Sequence, residues 1–358
     1  MTTNILEIFQ KQTTEIKKHS EKLLRNYSNE LHDINRWSID VFKKFNDFIN
    51  KGKCIRGNLV LFAYEIANGK PNKSLYEIAA AIELLQASIL IHDDIIDQDE
   101  IRRGAPSIYT AYKKLVHNEL HLSNKCCDHL GKSLAICMAD IGFNLAYNII
   151  ANSDFPPKIT SKLIQFYGVE IAKVGLAEMD DTYMSSDSSP IELSKIINLY
   201  RYKTARYTFT APMICGLLCA NAEYLIEPIE KITELLGIIF QIKDDELGIF
   251  GTEKQLGKPI GSDIREHKKT IYYYYLLKNT TDSQKRKIYS IFGNQKISNA
   301  DIEYVKNIMI KSGTVNKVNE FVNNMIEQLN AAIKKLQISK IHKTQFKDFI
   351  DYNLKRTA

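Results

Sequence analysis

Three aspartates stand in the run Asp93-Asp94-Ile95-Ile96-Asp97, and the arginines Arg102 and Arg103 follow closely. On an α-helix, residues four apart lie about 40° from each other and neighbours about 100°. Asp93 and Asp97 therefore share a face, and Asp94 is turned away. Like charges gathered at the end of an apolar helix repel unless a cation neutralises them. Oxygen-only ligands suit Mg2+, which keeps waters and shares phosphate oxygens. Alone, such a cluster reads more often as a solvated helix end. The second pair, Asp244-Asp245, closes another apolar helix, LLGIIFQIKDD, and shifts that balance. Two such ends facing each other across a cavity would hold metal ions and a diphosphate, and would offset its charge as it leaves. An apolar cavity behind them suits ionising an allylic diphosphate while shielding the carbocation from water.

Helices must position these groups. Proline and glycine are sparse, 8 and 16 residues of 358, and apolar residues recur with the helical period. The spacing predicts one or two amphipathic helices over residues 4–50, with Ile5, Ile8, Phe9 and Ile16 on one face. A helix apolar almost all round runs from Leu75 and delivers Asp93, Asp94 and Asp97. Residues 113–130 read as an inserted loop between this region and a second buried helix from Leu130 to Asn152. Further helices are expected over Lys158–Met184, Ile191–Asn221 and Pro228–Phe250. The segment Gly251–Asp263, with its glycines and a proline, reads as a loop, and peripheral helices follow. No repeat and no linker divides the chain, so residues 1–358 are expected to form a single all-α domain, a large helical bundle around an apolar cavity.

The net charge of +6 arises from 48 basic and 42 acidic residues that are interspersed, which implies no nucleic-acid partner. Six cysteines at irregular spacing, and an N-terminal stretch without a basic start and apolar core, predict a cytoplasmic protein with reduced thiols. Apolar runs such as Ala211–Ala220 fall short of the roughly 18 residues that span a bilayer. No transmembrane segment is expected.

Taken together and in order, the motifs resemble those of the trans-prenyl diphosphate synthases, the farnesyl and geranylgeranyl diphosphate synthase group, from about Gly52 to the basic C-terminus. The resemblance implies an all-α isoprenoid synthase fold and a Mg2+-dependent prenyltransferase. It would hold three Mg2+ ions on Asp93, Asp97 and Asp244, with Asp94 and Asp245 in support. It would join isopentenyl diphosphate head to tail to an allylic diphosphate, as a homodimer. Gly52-Lys53-Cys54-Ile55-Arg56-Gly57 resembles the family's G-K-x-x-R-G element, so Lys53 and Arg56, with Gln86 and Arg103, are the implied clamp on isopentenyl diphosphate. Arg102, Lys203, Lys258 and Lys268 are implied on the allylic diphosphate. Lys203-Thr204 resembles the K-T element and Phe240-Gln241 the F-Q-x-x-D-D pattern, which places Thr204 and Gln241 near the developing cation.

The match has departures. Gly248 stands where a third aspartate is expected. The G-Q-x-x-D element is replaced by Gly175-Leu176-Ala177-Glu178-Met179-Asp180-Asp181, which leaves Glu178 and Asp180 as alternatives for its acid. His117, His121, Cys126, Cys127 and His129 fall in residues 113–130, where a transition-metal site is conceivable but disfavoured by the irregular spacing. Read backwards from Asp93, Ile89 and Ser88, then Leu85, would floor the product tunnel, with Phe143 as an opposing residue. In the family an aromatic at the first two positions stops growth at the farnesyl length. Neither is aromatic, so the expected product is geranylgeranyl diphosphate. The rival readings are a class I terpene cyclase, which needs no second diphosphate site, and a non-catalytic regulatory subunit. A di-metal carboxylate bundle would require E-x-x-H pairs, and Glu119 to His121 has the wrong spacing.

Overall fold

In the computed structural model, residues 4–187, 189–251 and 261–354 are described. Of the described residues, 80% are helical and almost none lie in strands. It divides into two compact units, Met1–Tyr167 with Pro212–Tyr224, and Gly168–Ala211 with Leu225–Ala358.

The first unit is organised by its most apolar helix. Helix α1 is Ile5–Glu30, α2 Trp37–Asn50, α3 Ile55–Ile66 and α4 Lys73–Ile96. Asn72 caps α4 by accepting the Leu75 N–H, and Ile78 through Ser88 are buried on every face. A helix apolar all round has to be enclosed; α1, α2 and α3 pack on α4, as do α5 (Ile108–Leu120) and α6 (Asn124–Ala151). Residues 113–130, expected as a loop, are mostly helical. Only His121–Ser123 separate α5 from α6, because Ser123 caps the new helix through the Cys126 N–H and His121 turns left-handed at φ 52. Both α4 and α6 are long and apolar enough to cross a bilayer by length and composition, contrary to the reading of short runs alone. In α4 that surface is largely buried, whereas α6 leaves Ile136, Cys137 and Ile141 exposed.

The second unit is built on α7 (Pro157–Ser186, which enters it at Gly168), α8 (Leu193–Leu199) and α10 (Ile226–Phe250), with the π-helix Tyr200–Thr210 leading into α9 (Ala211–Cys219). The single helix expected over Ile191–Asn221 is thus interrupted by a wider turn. A π-turn inserts a residue into the helical ladder and re-aims the side chains around it. Here the insertion is held by Arg206, whose guanidinium meets Glu170 on α7 at 2.9 and 3.0 Å, and Glu230 and Glu234 on α10 at 2.6 and 2.5 Å. Burial alone would raise the Glu170 carboxyl, but Arg206 and Lys173 hold it below its ordinary value.

Arg206→Met should lower stability by about 3–5 kcal/mol, since it strands a buried carboxylate and its neighbours. Because the folded-state value of Glu170 is depressed, this stabilisation is present above the unfolded value and lost as pH falls through the folded one. Urea midpoints at neutral pH should therefore separate wild type from variant, and the gap should narrow below about pH 4. A gap independent of pH would contradict the ionic clamp.

Candidate active site

In the first unit, chemistry gathers at the C-terminal end of α4. Asp94 is 0% exposed, while Asp93 and Asp97 are only half-buried, as the helical rotation requires. A two-stranded hairpin then folds back on that end: Arg102 pairs with Ala105 across a turn whose central residues, Arg103 and Gly104, both have positive φ (54 and 70). This is the geometry that matches strand twist in a two-residue hairpin, and glycine adopts it without strain. The turn aims two successive arginines in different directions. Arg102 reaches Asp94 at 2.6 Å, Asp93 at 3.0 Å and Asp99 at 3.3 Å. Arg103 donates to the Phe48 carbonyl at 2.7 Å and lies 4.7 Å over the Phe48 ring. Burial pushes the Asp94 carboxyl up to about 6, with Arg102 opposing.

Arg103 belongs with the G-K-x-x-R-G element. Cys54 is left-handed (φ 47) and starts α3 without a side-chain cap. The acceptor comes instead from α4: Glu83, 6% exposed, takes the Gly57 N–H at 2.8 Å. Burial pushes its carboxyl up, and the Gly57 N–H, Arg56 and Arg103 oppose that shift. Glu83 therefore fixes the start of α3 and offsets the charge of both arginines. The sequence reading passed it over, although it is the one acid inside the apolar run Ile78–Ile91. Lys53 is exposed with its carbonyl bound by Thr13, Arg56 is half-buried, and Gln86 is buried.

Of the chain-length candidates, Leu85 is buried and Ile89 is half-buried, one turn before Asp93. Ser88 donates to the Leu84 carbonyl at 3.1 Å. It packs against α6: a Cβ on Gly142 would meet Ser88 Oγ at 2.1 Å and Phe45 at 2.6 Å. Phe143 tilts against His92. The cluster in residues 113–130 does not assemble. Cys127 lies 3.9 Å from His117, but His121, Cys126 and His129 are exposed.

In the second unit, the π-turn directs one side chain after another onto α7 and α10. Lys203 binds Asp181 at 2.5 Å and Glu178 at 2.9 Å. Lys268 meets the same Asp181 at 3.1 Å. Burial alone would raise Asp181, but the two lysines hold it below the usual carboxylate range. Of the two acids left as alternatives in sequence, Glu178 is engaged and Asp180 is exposed; Asp181, not singled out before, is the buried one. Its position one turn after Ala177 on the inward face of α7 was the available signal. Thr204 donates to Gln241 at 2.6 Å, and Gln241 donates to Asp245 at 2.8 Å. Burial pushes Asp245 up to about 8, reinforced by Asp263 and Asp244 and opposed by Tyr200 and Gln241.

The missing third aspartate has a spatial counterpart. A Cβ on Gly248 would come within 2.7 Å of Asp263 Oδ2, so the space beside Gly248 is filled by a carboxylate from another segment. Lys258, with Gly257 and Pro259, lies outside the described residues.

Among the described residues, no three His, Cys, Asp or Glu converge as a closed metal cage. Mg2+ requires only one or two carboxylates beside waters and phosphate oxygens. The donors at both acidic helix ends are all oxygens, and Asp94 Oδ2 is buried without a hydrogen-bond partner. These residues fit that cation.

The polyprenyl synthetase family model matches residues 41–309. The geranylgeranyl diphosphate synthase of Saccharolobus solfataricus is 30% identical over 271 residues, 75% of each chain. That of Sulfolobus acidocaldarius is 29% identical over 297 residues, 81% of this chain and 84% of its own. A crystal structure of geranylgeranyl pyrophosphate synthase from Corynebacterium glutamicum, complexed with isoprenyl diphosphate and magnesium, superposes with a TM-score of 0.89 at 25% identity. It covers 97% of this chain and 99% of its own. With the family model spanning most of its length and a relative 30% identical over three quarters of both chains, the chain belongs to the polyprenyl synthetase family.

Proposed function

We propose that the protein condenses isopentenyl diphosphate head to tail with an allylic diphosphate, giving a short-chain all-trans prenyl diphosphate, geranylgeranyl diphosphate. The observation that carries this reading is the presence of two separate cationic sets beside the carboxylates. Arg56 and Arg103 lie around Glu83 in one unit, and Lys203 and Lys268 converge on Asp181 in the other. A cyclase, which handles one diphosphate, has no use for both.

Asp93, Asp97 and Asp244 would hold Mg2+, three ions in all, with Asp94 and Asp245 in support. When bound, the metal supplies charge neutralisation for the departing diphosphate. Lys203, Lys268, Arg102 and Lys258 hold the allylic diphosphate, while Lys53, Arg56, Arg103 and Gln86 hold that of isopentenyl diphosphate. Arginine suits this task because its planar fork grips phosphate oxygens in pairs. The allylic C–O bond breaks and its electron pair leaves with diphosphate. The double bond of isopentenyl diphosphate then attacks the cation, and a proton passes to the departed diphosphate, restoring an alkene. Thr204 and Gln241 present oxygen atoms that stabilise the cation by their dipoles. Residues 1–358 act as one catalytic domain in this reading, in the cytoplasm.

A homodimer is also proposed. It is supported by the exposed Ile136 and Ile141 of α6 and, separately, by Val169, Leu176, Met179 and Tyr183 of α7, which recur at helical spacing with exposures of 57%, 67%, 70% and 74%. Contiguous apolar surface of this kind marks an interaction site. Light scattering should give twice the mass of 41.1 kDa for wild type. Leu176→Glu with Met179→Glu should shift the protein toward monomer, and an unchanged dimer would place the interface elsewhere.

Labelled isopentenyl diphosphate should be incorporated when dimethylallyl, geranyl or farnesyl diphosphate is the co-substrate. Cyclic hydrocarbon without label would establish a cyclase, and no turnover by the protein alone would point to a regulatory subunit. Asp93→Ala and Asp244→Ala should each lower turnover by about a hundredfold or more, as loss of a charge-stabilising group does, with helix content unchanged. Near-normal activity in either variant contradicts its role. Ser88→Phe or Ile89→Phe should shorten the product, and an unaltered distribution from both would move the tunnel floor elsewhere.

A further inference from the structure

We infer that Tyr200, a residue outside every motif discussed so far, is a positioning residue that sets the direction of the hydrogen bonds ending at Thr204. Tyr200 is 4% exposed at the start of the π-helix. Its hydroxyl touches two groups: the backbone N–H of Ile271, at 2.9 Å, and Asp245 Oδ2. A backbone N–H can only donate. The Tyr200 oxygen must accept from it, which sends the tyrosine hydrogen to Asp245. Asp245 also receives the Gln241 amide at its other oxygen, at 2.8 Å. With the Gln241 nitrogen committed there, its carbonyl oxygen faces Thr204 and accepts the threonine hydroxyl at 2.6 Å.

The chain from Ile271 through Tyr200, Asp245 and Gln241 to Thr204 thus has a fixed direction, anchored at one end by a donor that cannot be reversed. Thr204 spends its only hydrogen inside this chain. What remains on its oxygen is lone-pair density, the favourable polarity for a developing allylic cation and the wrong one for an anion. Without Tyr200, Asp245 loses one of its two donors, and the Gln241 amide is free to turn over and offer N–H to Thr204 instead. Preorganised dipoles of this kind act without reorganisation at the moment of reaction. The inference rests on the condensation proposed above.

Tyr200→Phe removes one oxygen and keeps the ring. It should reduce kcat about tenfold or more, with the KM for each diphosphate substrate within twofold, because the diphosphate-holding residues are untouched. The double variant Tyr200→Phe/Thr204→Val should lose no more than Thr204→Val alone, the mark of two residues acting through one chain. A kcat within twofold of wild type, or additive losses in the double variant, would overturn the role. Wild-type condensation is the control for the functional reading itself. Should that fail, NMR of protein carrying 15N-labelled glutamine decides the geometry separately. The Gln241 side-chain resonances should move or broaden in Tyr200→Phe, and unchanged resonances would refute the positioning role.

Discussion

Bringing carboxylates out of water and beside one another is costly, by several kcal/mol per ion when no partner is supplied. Much of this structure answers that one constraint. In the first unit, Arg102 lies against Asp93, Asp94 and Asp99. In the second, Lys203 and Lys268 converge on Asp181. Arg102 and Lys203 are carried by a two-residue hairpin and a π-turn, each shaped to return a cation to nearby acids. Where the internal partners do not suffice, the strain shows as raised carboxyls: burial pushes Asp94 up to about 6 and Asp245 up to about 8. A divalent cation would relieve both.

The same groups that balance these acids can also meet phosphate. An arginine or lysine matched to carboxylate oxygens offers donors of the right geometry for phosphate oxygens. Glu83 plays the complementary part, a buried carboxyl placed among Arg56 and Arg103 so that two guanidinium groups can be neighbours. In the proposed reaction a diphosphate and its counter-ions would enter by exchanging with these partners.

Much of this was legible in the chain itself. The division between Asp93 and Asp97 on one face and Asp94 on another followed from helical rotation, and the burial of the three residues agrees with it. The apolar run of α4 announced an enclosed helix. Less was readable where tertiary partners decide. The π-turn has no period of its own in sequence, so Tyr200–Thr210 reads as continuous α-helix; what holds it is Arg206 among three carboxylates from α7 and α10. Asp181 stood beside Asp180 and differs from it locally only in falling one turn after Ala177; the convergence of Lys203 and Lys268 is what singles it out. Residues 113–130 read as a loop from their polar composition, yet a single serine cap and one left-handed histidine confine the break to three residues. Gly248 read as a lost carboxylate, whereas the fold brings Asp263 to the same place.

The central claim is that the acidic helix ends are poised for divalent cations. Calorimetric titration of Mg2+ with inorganic diphosphate into wild type, Asp93→Ala and Asp244→Ala reads that directly, because a metal binds the ionised carboxylates. Binding to wild type that weakens about tenfold or more in each variant is the predicted result. Binding that neither variant weakens, or no binding to wild type at all, would contradict the assignment of these aspartates to the metal.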